Sequence, residues 1–439
     1  MQKRLLLSLL PVLASTGIAF GVAGAAPAAD PLNPDTVLAY PVPDALKLDN
    51  GQEVTDAKTW TRKRRPEILR TFTEEVYGET PKRKLPEHFQ VDSVDEKALN
   101  GKAVRKEITI SFSKDPGAPK IHVLLYIPVA AKGPVPVFVG LNFGGNQTVD
   151  ADPGITLSKI WIVDPSDQTL PKDHRRHIAQ EASPESRGQA AHSWQIEKII
   201  DHGYGLATAY YGDIEPDFDG GMRYGVRALF LRTGQTAVAP NQWGAIGAWA
   251  WGMSRMVDYL DTDKSVDAKR IAIIGHSRIG KAALWAAAQD TRFALVISNE
   301  SGKGGASLYR AKTGETIEHL NTAFPHWFCE NFHRYSGHPD EAPVDGNLLL
   351  ALIAPRPLYV ASAEQDRTSN PEAEFLSAML VGKVYRLFGE EGIGTDSMPP
   401  LDHAVMHSVG YHERTGKHDV TAFDWDQYLK FADMHFGTM

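Results

Sequence analysis

Short apolar runs alternate with amphipathic helical patterns along most of this chain. The runs end at Gly, Pro, Asn or Asp, which is typical of buried strands bounded by turns. This alternation predicts an α/β fold in which helices cover both faces of a mostly parallel central sheet. We predict strands at residues 108–112, 121–128, 135–141, 204–211, 270–274, 293–298 and 357–362, and helices at residues 60–77, 243–260, 282–288 and 424–434.

The first 29 residues have the pattern of an export signal. The basic pair Lys3-Arg4 precedes an apolar segment at 5–13, and small residues at 21–29 offer A-x-A cleavage sites. We therefore predict a signal peptide at 1–29, a single domain at 30–439, and a secreted or periplasmic protein. A retained N-terminal anchor is the alternative, although the apolar segment is short for a membrane span. No other stretch approaches that length, so we expect no stable membrane association.

Composition narrows the classes of partner. The chain has 46 Lys and Arg residues against 54 Asp and Glu residues, a formal net charge of −8. We do not expect an acidic protein of this kind to bind nucleic acid or an anionic membrane surface. The single cysteine, Cys329, excludes an intramolecular disulfide, and its aromatic neighbours predict a packed thiol. We expect a monomer that relies on its core, and any anionic ligand must meet a local basic cluster.

The segment 275–281 has the layout of a nucleophile elbow. It joins the predicted strand 270–274 to the predicted helix 282–288, which places Ser277 at the end of a sheet and at a helix N-terminus. The alternative is a serine that only caps the helix. The usual G-x-S-x-G pattern is not matched, because the second glycine stands three residues after the serine. The sequence here is Gly275-His276-Ser277-Arg278-Ile279-Gly280-Lys281.

A nucleophilic serine needs a base and an acid that orients the base. In this type of fold the chain order is serine, acid, histidine. His418, just before the terminal helix, is the favoured base, and His403 is the main competitor. Asp366 and Glu300 each follow a predicted strand, where an idle carboxylate is costly to bury. Sequence reasoning leaves the choice between these two acids open.

Backbone and cationic groups near Ser277 suit a developing oxyanion. We expect one donor from the Arg278 N–H and a second from the loop 142–145. Arg278 and Lys281 together predict a positive pocket, which suits an ester whose acyl part is acidic or oxygen-rich; the alternative for Lys281 is a solvated helix surface. No metal-binding or phosphate-binding motif is found, so we expect no metal and no cofactor. The polar stretch 147–187 is expected to be an inserted loop over the site, or a disordered insert.

Three motifs resemble those of the glucuronoyl esterases (4-O-methyl-glucuronoyl methylesterases) of bacterial type. Residues 275–281 resemble the family signature G-C/H-S-R-x-G-K, in which the displaced glycine is the normal pattern. Residues 298–305 are similar to the family's E-S-G-x-G-G loop, and residues 410–419 to the histidine loop of bacterial members. The resemblance implies an α/β-hydrolase three-layer sandwich with inserted loops over the active site.

The resemblance also implies an activity. Such a serine esterase hydrolyses esters of (4-O-methyl-)glucuronic acid, as in lignin–carbohydrate linkages of glucuronoxylan, through a glucuronoyl-enzyme intermediate. The alternatives are an acetyl xylan esterase or other carboxylesterase of this fold, and a non-catalytic carbohydrate-binding member. The implied roles are nucleophile for Ser277, base for His418, acid for Glu300 with Asp366 at a second acidic position, oxyanion stabilisation for Arg278, and sugar contacts for Lys281 and Glu315.

One position departs from the bacterial pattern. Bacterial members often carry a tryptophan two residues after the second acid, against the sugar face. Here that residue is Thr368, two positions after Asp366. A platform for the sugar is therefore weaker than in those members, or another part of the chain supplies it.

Overall fold

A ten-stranded mixed sheet forms the centre of this computed structural model. The structure describes residues 30–169, 175–231 and 239–437, so the predicted signal peptide lies outside the described residues. The strands are β1 (His88–Lys97), β2 (Ala103–Ser111), β3 (Lys120–Pro128), β4 (Val135–Asn142), β5 (Lys159–Val163), β6 (His177–Glu181), β7 (Gly205–Tyr210), β8 (Val266–His276), β9 (Phe293–Asn299), β10 (Leu358–Ala363), β11 (His403–Met406) and β12 (Val409–Arg414).

The helices vary from single turns to sixteen residues. They are α1 (Pro34–Val37), α2 (Ala57–Thr59), α3 (Arg65–Glu75), α4 (Ala98–Gly101), α5 (Ala191–Trp194), α6 (Ile196–Asp201), α7 (Tyr211–Ile214), α8 (Ala245–Leu260), α9 (Arg278–Gln289), α10 (Ile317–Ala323), α11 (Gly346–Ala351), α12 (Pro371–Leu380), α13 (Gly382–Arg386) and α14 (Ala422–Phe436). A π-helical turn at Trp60–Arg64 precedes α3. Within the described ranges no helix combines the length and apolar character needed to cross a bilayer.

The middle of the sheet is parallel and its edges are antiparallel. Its spatial order is β1-β2-β3-β7-β4-β8-β9-β10-β12-β11. The strands from β7 through β12 in that order pair in parallel, whereas β1, β2, β3 and β11 pair antiparallel. The carboxyl ends of the parallel strands therefore meet at one edge, which is where α/β sheets place their functional loops.

Helices cover the two faces of the sheet. Because side chains alternate along a strand, β8 directs Ile271 and Ile273 to one apolar core and Ala272 and Ile274 to the other. The first core includes α8 and the alanine-rich α9, and the second includes α6 and α14. Strands that are buried on both faces explain the nearly continuous apolar runs in the sequence. This three-layer arrangement confirms the predicted fold class.

The predicted strands and helices are present, with ends that shift by a few residues, and other strands were missed. β1 was missed because most of its side chains are polar and exposed. β11 and β12 were missed because their sequence, which contains His403, His412 and Arg414, is not an apolar run. β12 matters most, since it leads directly to the predicted base.

The stretch 147–187 contains an ordered hairpin where an irregular loop was expected. β5 pairs with β6. Trp161 and His177 of this hairpin both pack against the Phe218 ring. The His177 and Phe218 rings are stacked with centroids 4.0 Å apart. The β5–β6 hairpin therefore packs against the loop that carries Asp217.

Candidate active site

Ser277 lies in a strained turn between β8 and α9. Its φ of 55° and ψ of −131° cost a non-glycine residue about 1–3 kcal/mol. The Ser277 N–H donates to Asn299 O at 3.0 Å, and Ser277 O accepts from the Gly280 N–H at 2.8 Å. A Cβ on Gly275 would lie 2.2 Å from the Ile279 carbonyl oxygen, so this turn closes only over glycine. The backbone thus has the geometry of a nucleophile elbow.

Packing explains why the second glycine stands three residues after the serine. A Cβ on Gly280 would lie 2.8 Å from Ser301 Cβ and 3.0 Å from Gly275 O. Ile279, where the usual pattern has glycine, is completely buried in the core instead. The first turn of α9 is therefore pressed against the loop after β9, and the closest approach occurs at Gly280.

His418 meets both of the carboxylates that were predicted as alternatives. Its Nδ1 lies 2.7 Å from Asp366 Oδ2 and 2.9 Å from Glu300 Oε2. Glu300 follows β9, Asp366 follows β10 and His418 follows β12, so three adjacent parallel strands bring them together. Because an ionised carboxylate only accepts, Nδ1 carries a proton and Nε2 is left to act as a base. His418 and Ser277 line the same cavity.

The two carboxyl groups have opposite pKa shifts although they share one partner. Burial raises the pKa of Glu300 to about 7, against the lowering effects of His418 and Arg414. Burial also acts on Asp366, but hydrogen bonds from His418 and Ser369 outweigh it and lower the pKa of Asp366 to about 2. Burial lowers the pKa of His418, yet its hydrogen bonds to both carboxyl groups prevail and raise that pKa to about 9. Asp366 is therefore the more fully charged partner at neutral pH.

Arg414 at the end of β12 holds Glu300 from the side away from His418. Arg414 Nη2 lies 2.7 Å from Glu300 Oε1, and Arg414 Nε lies 2.9 Å from Asp424 Oδ2. Asp424 in turn lies 2.8 Å from His412 Nε2. These side chains are all buried, and Arg414 lies between the Glu300 and Asp424 carboxylates, so their opposite charges offset part of the desolvation. Sequence reasoning gave Arg414 no role, although it lies within the 410–419 motif, because the motif alone does not separate it from a surface arginine.

Asp217 is a second residue that sequence reasoning missed, and it holds Arg278. Asp217 Oδ2 forms a salt bridge with Arg278 Nη1. Asp217 Oδ1 accepts from Trp327 Nε1 at 2.7 Å and lies 2.8 Å from His326 Nε2. Burial opposes these contacts, but they lower the pKa of Asp217 to about 2. The position of Asp217 shortly after a buried strand is the signal that could have found it, since a carboxylate there needs a partner.

The structure corrects the predicted positive pocket. Lys281 is buried rather than on a solvated helix surface, and its Nζ donates to Glu315 Oε1 at 3.0 Å and to Ser301 O at 2.5 Å. Arg278 is likewise paired with Asp217. Each cation beside Ser277 thus has its own carboxylate, because an unpaired buried charge is costly. The site is polar and nearly charge-balanced.

Aromatic rings surround the Arg278 guanidinium. Its central carbon lies 4.9 Å from the Trp327 ring centroid, 5.6 Å from that of Phe324 and 6.0 Å from that of Phe143. Trp327 and Phe324 are stacked, with centroids 3.9 Å apart. Thr368, at the position of the platform tryptophan in bacterial members, accepts from the Glu315 N–H through its carbonyl at 2.9 Å. Trp327 therefore supplies an indole next to Lys281 and Arg278 from a different loop.

The loop after β4 lines the same cavity as His418. Phe143 and Gly144 line that cavity together with Ser277. The Gly145 N–H is already used, since it donates to Asn142 Oδ1 at 2.9 Å. The donors that this loop can present to an oxyanion are thus the N–H groups of Phe143 and Gly144.

The structure also bears on the alternative base His403 and on the expectation that no metal is bound. His403 is exposed at the start of β11, and its Nδ1 lies 2.9 Å from Leu401 O, so it is not the base that pairs with Glu300 or Asp366. One donor atom each from His276, Glu300 and His418 lies within 4.8 Å of the others, a spacing that a metal ion could use. His276 Nδ1 is 2.5 Å from Asn299 Oδ1, and His418 Nδ1 is held by carboxylates, so these contacts already account for the geometry of the group.

Comparison with known proteins agrees with this geometry. The family model for fungal glucuronyl esterases matches residues 238–389. The carbohydrate esterase MZ0003 from an unknown prokaryotic organism is 46% identical over 396 residues, which are 90% of each chain. The solved glucuronoyl esterase from Solibacter usitatus is 53% identical with a TM-score of 0.86, over 92% of this chain and 100% of that one. A promiscuous CE15 esterase from a marine bacterial metagenome is 44% identical with a TM-score of 0.82, over 92% and 99%. This chain therefore belongs to the glucuronoyl esterases of carbohydrate esterase family 15.

Proposed function

We propose that the protein is a serine esterase that hydrolyses esters of (4-O-methyl-)glucuronic acid, with glucuronoxylan-linked esters as its natural substrate. The observation that carries the proposal is the His418 imidazole, whose Nδ1 is held by two carboxylates while its ring lines the same cavity as the strained Ser277. The acyl preference rests on the related solved structure named as a glucuronoyl esterase and on the Arg278, Lys281 and Glu315 side chains.

Ser277 is the nucleophile of the first half-reaction. His418 Nε2 removes the hydroxyl proton as Ser277 Oγ bonds to the ester carbon. The N–H groups of Arg278 and of Phe143 or Gly144, with the Arg278 guanidinium, stabilise the oxyanion. His418 then gives the proton to the leaving alcohol oxygen. In the second half-reaction His418 removes a proton from a water molecule, whose oxygen attacks the acyl carbon. The bond between that carbon and Ser277 Oγ then breaks, His418 returns the proton to Oγ, and glucuronate is released.

Lys281 and Glu315 bind the hydroxyl groups of the sugar. Lys281 is buried and Glu315 is partly buried, and their charged atoms lie 3.0 Å apart, so their remaining donor and acceptor positions are fixed in direction. A Cβ on Gly302 would lie 2.2 Å from Glu315 Oε1, so this glycine allows the carboxylate to reach its place. Trp327 lies 5.9 Å from Lys281 Nζ, but it is buried and stacked on Phe324, so it packs beside these side chains and does not present the open ring face of a platform tryptophan.

Turnover of methyl glucuronate and of 4-nitrophenyl acetate tests this function. We expect the glucuronate ester to be cleaved by the wild-type chain and not by the Ser277→Ala variant. Strong acetate turnover without glucuronate cleavage would instead indicate an acetyl xylan esterase, and no turnover of either ester a carbohydrate-binding protein. Unchanged hydrolysis by Ser277→Ala would exclude Ser277 as the nucleophile.

We further propose that residues 1–29 are removed on export and that residues 30–439 act as one secreted or periplasmic domain. The support is the basic, apolar and small-residue order of that leader. N-terminal sequencing of the exported protein should begin near position 30, and light scattering should give the mass of a monomer. An uncleaved N-terminus or a dimer mass would contradict the corresponding part.

A further inference from the structure

A second cavity, of 570 Å³, lies between the β2–β3 hairpin of the sheet and the β5–β6 hairpin. The turn between β2 and β3, the β5–β6 hairpin and α7 supply much of its lining. Among the residues that the structure describes, none lines both this cavity and the one that contains Ser277 and His418. Its volume is within the range of about 300–1,000 Å³ that is usual for ligand sites. The cavity is therefore a separate candidate site, and its residues take no part in the proposed mechanism.

Two aromatic side chains belong to the wall of this cavity. Tyr224 is 52% exposed, and its ring centroid lies 4.7 Å from that of Trp161, which is partly buried. Phe218 packs beside both rings, with its centroid 6.2 Å from that of Tyr224 and 5.5 Å from that of Trp161. The exposed tyrosine ring is thus held in place by its neighbours and offers an apolar face. The C–H groups of a pyranose ring pack on such faces.

His122 and Asp213 form a fixed polar pair in the same wall. Asp213 Oδ2 accepts from the His122 backbone N–H at 3.1 Å and lies 2.8 Å from His122 Nδ1. The hydrogen bond to Asp213 raises the pKa of His122 against the effect of burial. Asn146 Nδ2 donates to the His122 carbonyl oxygen at 2.8 Å, which fixes the backbone as well. Because these bonds use Nδ1 and Oδ2, His122 Nε2 and Asp213 Oδ1 remain as a donor and an acceptor for a ligand.

Charges around the cavity balance one another. Three carboxyl groups and three basic groups lie in its wall, so net charge favours neither an anion nor a cation. Glu107 is also engaged within the protein, since its carboxylate accepts from the Thr156 N–H at 2.8 Å and from Thr156 Oγ1 at 3.1 Å. A neutral ligand with many hydroxyl groups suits this mixture, because each hydroxyl both donates and accepts. The six charged or titratable residues are Asp92, Glu107, Asp213, Lys120, Lys159 and His122.

We propose that this cavity binds a neutral stretch of the polysaccharide that carries the ester, the xylose backbone of glucuronoxylan. The inference rests on the proposed function and deepens it. Sugar rings pack on Tyr224 and Trp161, and their hydroxyl groups bond to His122 Nε2 and Asp213 Oδ1. Binding here keeps esters of the same polymer close to Ser277 without contact with the reacting atoms, which raises their effective concentration.

Binding of xylohexaose to the full chain, measured by isothermal titration calorimetry, tests this site. We expect Tyr224→Ala to weaken the binding about tenfold, and Tyr224→Phe, which keeps the ring, to retain most of it. In Tyr224→Ala, kcat/KM for methyl glucuronate should stay within about twofold, whereas KM for esters on glucuronoxylan should rise. No binding by the wild-type chain, or equal binding by Tyr224→Ala, would overturn the proposal. Tighter binding of cellohexaose than of xylohexaose would overturn the choice of xylan.

Tyr40→Ala is the matched control. Tyr40 is a tyrosine of similar exposure, 45%, and does not line this cavity. Its substitution should leave xylohexaose binding unchanged, and a loss equal to that of Tyr224→Ala would overturn the assignment. Circular dichroism melts would show that both variants are folded.

Two further outcomes are distinguishable in the same experiment. Xylohexaose should not compete with methyl glucuronate, and competitive inhibition would place the oligosaccharide in the catalytic cavity and overturn the proposal. Failure of the proposed function has a different signature, because the wild-type chain would then cleave no glucuronate ester whatever its affinity for xylohexaose.

Discussion

Carboxylates position His418 and Arg278 in two different ways. Nδ1 of His418 has two partners, Glu300 and Asp366, which come from neighbouring strands. The Arg278 guanidinium has one, Asp217, whose other oxygen is committed to His326 and Trp327. The proposed base is therefore held redundantly, and the cation proposed to stabilise the oxyanion depends on a single carboxylate.

This difference predicts how each region responds to the loss of a carboxylate. If one carboxylate at His418 is lost, the other still fixes the tautomer and the ring direction. If the Asp217 charge is lost, nothing among its described partners replaces it at Arg278, because His326 and Trp327 offer hydrogen-bond donors rather than a negative charge. The substitutions below test whether His418 tolerates the loss of one carboxylate and whether Arg278 does not.

The largest effect is expected when both partners of His418 are neutralised. The double variant Glu300→Gln/Asp366→Asn leaves no carboxylate at Nδ1, so neither the tautomer nor the imidazolium is stabilised. We expect kcat/KM for methyl glucuronate to fall about 10⁴-fold.

Glu374→Gln is the control for this double variant. Glu374 is buried near both acids, and its burial raises its pKa to about 8, so it is mostly uncharged at neutral pH. Its Oε1 accepts from the Gly302 N–H at 3.0 Å and its Oε2 lies 2.7 Å from Ser362 Oγ. A glutamine can keep both contacts, because its amide oxygen can accept from Gly302 and its amide nitrogen can donate to Ser362 Oγ. This variant should stay within a few-fold of the wild-type chain. A tenfold loss or less in the double variant would contradict the orienting role.

Asp217→Asn should have the next largest effect. The change keeps an acceptor for Trp327 but removes the charge that holds Arg278, so oxyanion stabilisation is weakened. We expect kcat/KM to fall about 10²-fold, which is close to the loss of one oxyanion donor. In an Arg278→Ala background the same substitution should add little, because its target is absent. Additive losses in the two variants would mean that Asp217 acts independently of Arg278.

The parts of the site that sequence alone predicted are those with local motifs. Ser277 lies in a strand–turn–helix pattern, and Glu300 and His418 lie in loops with their own signatures. Asp217 lies in no such motif, and Arg414 lies within the 410–419 motif without being marked there as part of the site. Their importance comes from burial and from partners 61 and 114 positions away, respectively. Such pairings follow from the tertiary packing, which the local pattern does not contain.

The strands likewise divide into those that the sequence predicted and those that it did not. The parallel strands at the centre were predictable because both of their faces are buried, which leaves continuous apolar runs such as β4. β1 and β6 were not, because they are exposed and mostly polar, and β5 was not, because its short apolar run stays only partly buried. The choice between Glu300 and Asp366 also could not be made from sequence, since the strand order places both at the same nitrogen.

Substituting only one of the two carboxylate partners of His418 should lower kcat/KM less than Asp217→Asn does. Each of Asp366→Asn and Glu300→Gln leaves one carboxylate on Nδ1, so we expect kcat/KM to fall about tenfold. Asp366→Asn should be the more harmful of the two, since Asp366 carries the fuller charge. The product of the two losses should be far smaller than the loss in the double variant. A 10³-fold loss from one substitution alone would show that this residue acts without a substitute.

The smallest expected effect is a shift of the pH profile. His418 must be unprotonated at Nε2 to accept the serine proton, and its pKa is raised to about 9, so kcat/KM should rise with pH and level off above that value. Asp366→Asn removes a full negative charge and should move this limb toward neutral pH. Glu300→Gln should move it less, because Glu300 lies farther from Nδ1 than Asp366 does, 2.9 Å against 2.7 Å, and its charge is offset by Arg414. Rate measurements from pH 5 to 10 on both variants check the order. A larger shift in Glu300→Gln than in Asp366→Asn would reverse the assignment of charge between the two carboxyl groups.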